Sequence, residues 1–235
     1  MNKNRLSLNR NGLKIIAIIA MLTDHIAMFF VPTSTALGFC MRTVGRLTAP
    51  IMCMFLAEGY FYTSSKRNYG LRLLIFGVVS QPIYAVAHGN PLYYPDFNMI
   101  LTLLLCFLLL LSYDKIKNGA LKTAAIVLLT AASAFCDWGI IAPMWTLGFF
   151  VFRQDSRKKT LCYCLISAVH ALSNIGFGLY YGGSRYSQLW QLGVFLFLPL
   201  MMSYNGKSGK KNAFAKYFFY AFYPLHLLAL VFCTN

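Results

Sequence analysis

From Gly12 to Ala27 the chain reads GLKIIAIIAMLTDHIA, a basic cap followed by an apolar helix that carries Asp24 and His25 inside it. An acid in a stretch otherwise suited to hydrocarbon costs roughly 2.5 to 3.5 kcal/mol on insertion scales, so ionisable groups persist there mainly where they act. At about 100° per residue, Lys14 and His25 fall about 20° from one another on one helix face, roughly 16 Å apart along the axis. That face suggests a path from a basic mouth to a buried base.

Working outward, 58% hydrophobic and 11% charged residues over 235 positions fit no ordinary soluble class. The pattern is that of an all-α, polytopic helical membrane protein forming a single integral membrane domain over residues 1–235. Apolar runs of membrane length fall at about 13–31, 43–62, 70–87, 98–113, 121–135, 139–152, 160–180, 188–204 and 214–233, which predicts about nine transmembrane spans. The weakest of these pairs meets around Phe135–Gly139, where residues 139–152 are short enough to tilt, re-enter or pack inside the bundle. A removable signal peptide is not expected, because Ala36-Leu37-Gly38 is a poor cleavage site and cutting there would discard Asp24 and His25.

The net charge of +15 raises nucleic acid as a partner, but the basic residues sit in short clusters between apolar runs rather than along one polar face. Topology explains them better, and no nucleic acid is expected. One side collects Lys3, Arg5, Arg10 and Lys14; Lys66, Arg67 and Arg72; Lys115, Lys117 and Lys122; Arg153, Arg157, Lys158 and Lys159; and Lys207, Lys210, Lys211 and Lys216. The other side has only Arg42, Arg46 and Arg185. This alternation predicts a cytoplasmic N-terminus and an outside C-terminus. Seven cysteines with no C-x-x-C, mostly in apolar runs, are read as small packing residues.

Six carboxylates carry most of the remaining information. Asp114 and Asp155 lie in basic loops and read as solvated charges. Asp24 and His25 fall in the outer half of the first span, and Arg42 and Arg46 enter the second from the same side with the i, i+4 spacing that shares a helix face. A buried Asp24–Arg46 pair would compensate both charges, and simple pairing is the plainer alternative to a role in chemistry. A neutral imidazole at His25 with a free lone pair can serve as a general base. Glu58 is placed to pair with Lys14 or Arg72. His88, Asp96, Asn98, Asp137 and Arg185 are assigned to the outer loops, His226 to the last span, and His170 to the core without an evident partner. One carboxylate beside one His, with no second His at i+3 or i+4, is a weak metal signal, and no metal is expected. No GxGxxG, Walker loop, HExxH or GxSxG occurs.

The stretches LKIIAIIAMLTDHIA (13–27), MRTVGRLTAPIMCMFLAEGYFYTSSKRNYGLRLLIFGVVSQPIY (41–84), FNMILTLLL (97–105) and CDWGIIAPMWTLGFFVFR (136–153) resemble the TraX family, whose founding member N-acetylates the pilin subunit of a conjugative pilus. Arg42, Gly45, Arg46 and Pro50 carry an RxxGRxxxP element, and Glu58, Gly59, Thr63, Tyr69 and Arg72 the next block. More distantly, Lys14 followed by ten residues and His25 is similar to an Arg-x10-His element of acyltransferase-3 membrane enzymes, with Lys in place of Arg and so without the planar fork. The ending Tyr223-Pro224-Leu225-His226 is similar to endings in that superfamily.

The resemblance implies a membrane-embedded acetyltransferase of the bacterial cytoplasmic (inner) membrane that takes its acetyl group from cytoplasmic acetyl-CoA. His25 would deprotonate the acceptor or carry the acyl group itself, Asp24 would orient it, and Arg46 would stabilise the oxyanion. Lys14, Lys66, Arg67 and Arg72 would hold the donor, with Arg42, Glu58, Asn98, Asp137 and His226 lining the pocket. The acceptor would be a protein N-terminus, a sugar or a lipid headgroup. A proton-coupled transporter and a non-catalytic assembly factor for a secreted subunit are the alternatives.

Overall fold

The computed structural model describes residues 7–182, 188–207 and 213–234. Lys3, Arg5, Arg185, Lys210 and Lys211 lie outside them, as does the side chain of Lys216. The described chain is helical: α1 (Arg10–Phe30), α2 (Ala36–Gly45), α3 (Thr48–Tyr62), α4 (Lys66–Ala87), α5 (Met99–Lys115), α6 (Gly119–Ala132), α7 (Ile141–Val151), α8 (Ser156–Tyr180), α9 (Phe197–Ser203) and α10 (Ala213–Thr234), with 3-10 turns at Ser133–Phe135 and Leu189–Leu196. Among the described residues, strand-like pairing is confined to two isolated bridges, Leu8 with Tyr204 and Phe97 with Cys136.

Each apolar run corresponds to a helical segment, but the segments are not equal. Among the described residues, four are long and apolar enough to cross a membrane: Arg10–Phe30, Ala36–Tyr62, Lys66–Ala87 and Ser156–Tyr180. The protein is therefore a helical membrane protein, with shorter apolar helices beside these four. Two expectations change in detail. The run at 188–204 is a 3-10 stretch leading into the seven-residue α9, and α7 has only 11 residues, about 16 Å of helix. The second crossing also starts earlier than its apolar core, because α2 and α3 follow one another with a break at Arg46–Leu47.

The chain divides into two compact units, Met1–Ile51 with Ser167–Phe219, and Met52–Ile166 with Tyr220–Asn235. In the first, α2 packs on α1 and on the 3-10 turn at Leu189–Leu196. Asn9 caps α1 by accepting from the Gly12 N–H at 2.9 Å, and Thr48 at the head of α3 donates to the Ala17 carbonyl at 3.4 Å. In the second, α5 is the central element and packs on α4, α6 and α7. It is apolar on every side, with Leu109, Leu110 and Cys106 wholly buried, as a helix surrounded by other helices must be.

Asn98 heads α5 and is itself fully buried. Its Oδ1 accepts from the Ile100 and Leu101 N–H groups at 3.0 and 3.2 Å, while its Nδ2 donates to Gly77 O and Gln81 Oε1 at 2.8 Å each. All of its polar capacity is used to cap α5 and tie it to α4, which makes it a scaffold residue rather than an exposed loop residue. The turn after α6 is held to the same place: Asp137 N–H donates to Phe97 O at 2.7 Å, and Thr102 Oγ1 to Asp137 O at 2.8 Å. Trp138 takes a positive φ of 65° there, a conformation that a bulky residue adopts only when its surroundings over-determine it.

Candidate functional site

The first unit draws together the residues that α1 and α2 supply. Arg42 and Arg46, one turn apart on α2 and its C-cap, both reach Asp24 on α1. Arg42 Nη1 lies 2.9 Å from Asp24 Oδ2, and Arg46 Nη2 lies 3.0 Å from Oδ2 and 3.2 Å from Oδ1. The three side chains are only 11 to 17% exposed. Both guanidinium carbons also stand 4.7 Å from the centroid of the Trp190 ring, a cation–π contact that strengthens as water is excluded. Two guanidinium groups on one carboxylate leave the trio with a net positive charge.

Gly45 explains how the helices come so close. A Cβ at that position would overlap Oδ1, Cβ and Cγ of Asp24. Gly193 plays the same part beneath Trp190, since a Cβ there would overlap the Thr43 carbonyl. Glycine between the two arginines of RxxGR is thus a packing requirement of the ion pair itself.

The C-terminal turn of α1 and the residues after it line a cleft of about 420 Å³: Ala27, Met28, Phe29, Phe30, Val31, Pro32 and Thr33, with Arg42 as its charged member. That volume falls in the range of small-molecule sites. His25 is half-buried, two residues before this stretch on α1, and is not among the residues that line the cleft. Lys14 is half-buried near the other end of the same helix.

A second polar group in this unit was not anticipated. His170 and Asn174 are one turn apart on α8, with Asn174 Nδ2 at 2.8 Å from His170 O and 3.3 Å from His170 Nδ1. Gln191, next to Trp190, donates to Asn174 Oδ1 at 3.4 Å. His170 thus has partners. Its i, i+4 spacing to Asn174 was visible in the sequence; Trp190 and Gln191 were hidden in a run read as a membrane span.

The remaining predicted residues lie in the second unit. Lys66, Arg67 and Arg72 open α4; Glu58 is half-buried on α3; Asp137 sits in the turn after α6. His226 is 6% exposed on α10, its ring stacked 4.8 Å from Phe222 and its Nδ1 2.7 Å from the Phe222 carbonyl, so Nδ1 carries the proton. Asp114 and Asp155, read as solvated charges, have exposed side chains and also definite partners, as does His88, which was assigned to an outer loop. Asp114 accepts from Tyr60 Oη at 2.8 Å; His88 Nδ1 lies 2.9 Å from Tyr84 O; and Asp155 caps α8 by accepting from the Lys158 N–H at 3.0 Å. That last bond holds the Asp155 carboxyl below the usual carboxylate range. The seven cysteines are free thiols.

A family profile described as TraX protein matches residues 9–234. The chain belongs to the TraX family. It is also 34% identical over 227 residues, spanning 93% of this chain and 92% of the relative, to the probable fimbrial assembly protein FimC, serogroup H1, of Dichelobacter nodosus. No solved structure matches the chain. In this TraX family member the RxxGR element is the part that carries the Asp24 clamp.

Proposed function

We propose that this TraX family protein is a membrane acetyltransferase that moves an acetyl group from acetyl-CoA to an amine or hydroxyl of an envelope substrate. The observation that carries the reading is the Asp24 clamp, a net positive charge built into an apolar helix pair, with one of its arginines lining a cleft at the end of the helix that carries His25. A positive group fixed in a poorly solvated place is what a developing oxyanion needs.

In the reaction, the acceptor nitrogen or oxygen attacks the thioester carbonyl carbon while His25 takes its proton. The carbonyl π electrons move to oxygen, giving a tetrahedral oxyanion that meets the clamp's guanidinium charge. Collapse breaks the C–S bond, and the proton held on His25 goes to the departing thiolate. Arg46, held through both carboxylate oxygens, keeps Asp24 in register and shares the oxyanion role with Arg42. In the second unit, positive charge at Lys66, Arg67 and Arg72 heading α4 supports an anionic donor arriving from the cytoplasm; in the first, Lys14 lies on the helix that carries His25. A cytoplasmic N-terminus in an inner membrane, which the distribution of basic residues supports, fits that direction of supply.

The relative's description as a fimbrial assembly protein supports a pilus or fimbrial subunit as acceptor, and equally a second reading in which the protein holds such a subunit without chemistry. Purified protein given radiolabelled acetyl-CoA and envelope extract separates them. Transfer of label that is lost in His25→Ala, with the variant still folded and inserted, is the expected result. Fimbriae that assemble normally in a His25→Ala strain and carry no acetyl label in either strain would leave the assembly role alone standing.

A further inference from the structure

The second unit contains a continuous aromatic cluster drawn from α3, α4, α5 and α7. Ring centroids follow one another at 5.2 Å from Tyr69 to Phe107, 5.7 Å from Phe107 to Tyr60, 5.5 Å from Tyr60 to Phe150, 4.6 Å from Phe150 to Phe61 and 5.7 Å from Phe150 to Tyr113. Four cations rest on these rings. Lys66 Nζ lies 3.9 Å from the Tyr60 centroid, Arg153 Cζ 3.9 Å from Phe61, Lys122 Nζ 5.0 Å from Tyr113 and Arg72 Cζ 5.3 Å from Tyr69.

None of the four is ion-paired to a carboxylate among the described residues, and Arg72 Nε is buried without a hydrogen-bond partner. The acid beside them, Asp114, accepts from Tyr60 and pairs with Lys115 at 3.4 Å. A topology signal requires only that basic residues lie on the inner side; it does not require them to be held in place. Fixing four like charges on one cluster raises a repulsion that an anion relieves. The N-terminal ends of α4 and α6, with no acid in the first turn of either, add to the same positive potential.

We infer that Lys66, Arg72, Lys122 and Arg153, held on this aromatic cluster, form a binding surface for a ligand with several phosphates, namely the 3′-phosphate and 5′-diphosphate end of the coenzyme A thioester. The inference rests on the acetyltransferase reading and extends it to Lys122 and Arg153. A single lipid phosphodiester satisfies one or two cations, whereas four spread over a chain of rings match phosphates at both ends of a ribose. Lys66 Nζ gives one N–H to the Tyr60 carbonyl at 3.0 Å, which leaves its other two for phosphate oxygens.

The test uses the whole protein in phosphatidylcholine nanodiscs, titrated with radiolabelled coenzyme A and with 3′-dephospho-coenzyme A. Coenzyme A should bind, and the dephospho form about tenfold more weakly, the loss expected of one charge-assisted contact. Lys122→Gln and Arg153→Gln should each weaken coenzyme A binding about tenfold. Lys122→Arg and Arg153→Lys should recover most of it, which separates lost charge from lost folding. Equal affinity for the two nucleotides, or unchanged affinity in both Gln variants, overturns the site. So does the lipid outcome, in which coenzyme A does not bind but phosphatidylglycerol is retained through purification and lost in the Gln variants. Coenzyme A binding in the expected pattern without acetyl transfer would remove the catalytic reading and keep this surface. Acetyl transfer with an unchanged donor KM in Arg153→Gln would do the opposite.

Discussion

Alanine at Gly45 would set a methyl group into the carboxyl group of Asp24, because the added Cβ overlaps Oδ1, Cβ and Cγ at once. Asp24 cannot swing aside without giving up its 2.9 to 3.2 Å bonds to Arg42 and Arg46. Overpacking of this kind costs roughly 1 to 3 kcal/mol. Breaking one side of a buried ion pair costs roughly 3 to 5 kcal/mol, and the lower end applies because the trio keeps some exposure. The two costs are alternatives, since the chain takes the cheaper distortion, so the expected loss is about 1 to 3 kcal/mol. The decisive measurement is a double-mutant cycle by denaturant titration in mixed micelles followed by far-UV circular dichroism. In an Asp24→Gly background all three overlapping atoms are gone, and Gly45→Ala should cost less than about 0.5 kcal/mol. Asp24→Ala keeps its Cβ and should give an intermediate result. If Gly45→Ala costs the same with Asp24 present and with Asp24→Gly, the close approach is not what Gly45 serves.

Arg46→Lys retains the charge but loses the planar guanidinium that lies against Trp190 while Nη2 reaches Asp24, and acetyl transfer should fall about tenfold or more; an unchanged rate would end the clamp's role in chemistry. Asn98→Ala removes an α5 cap and the bonds to Gly77 and Gln81, so thermal stability should drop by about 2 to 4 kcal/mol while the Km for donor stays constant. A shifted Km with normal stability would return Asn98 to a binding role. For Asp155, whose folded carboxyl titrates below its unfolded value, the stabilisation is complete above the ordinary carboxylate pKa of about 4 and is lost as pH falls through the lower folded value. Asp155→Asn keeps a capping side chain and should flatten the acid limb of the midpoint-versus-pH curve; an unaltered limb would show that this cap does not couple to folding.

Much of the architecture was legible because hydrophobic periodicity and helix caps are local signals. The ends of α1, α4 and α8 fall within a few residues of the basic and capping residues that mark them. The Asp24–Arg46 pairing was legible too, since the i, i+4 spacing of Arg42 and Arg46 left their guanidinium groups on one face. Trp190 and Gln191 were not legible, because inside an apolar run an aromatic and a polar residue look like span and exception. A 3-10 stretch has no sequence period distinct enough from a helix to reveal that Leu189–Leu196 is folded against α2. Asn98 was misread as a loop residue because a helix cap and an exposed Asn share the same neighbours in sequence.

The amino-acid order alone determined that this is a helical membrane chain with charge concentrated in its connections, since each residue's transfer cost acts wherever its neighbours lie. Only the tertiary structure decided which charges meet. It set both Arg42 and Arg46 on Asp24, made Gly45 the contact point, and brought Trp190 from far along the chain beside them. Ion pairing and close approach depend on distances across helices, and a one-dimensional pattern carries no distance.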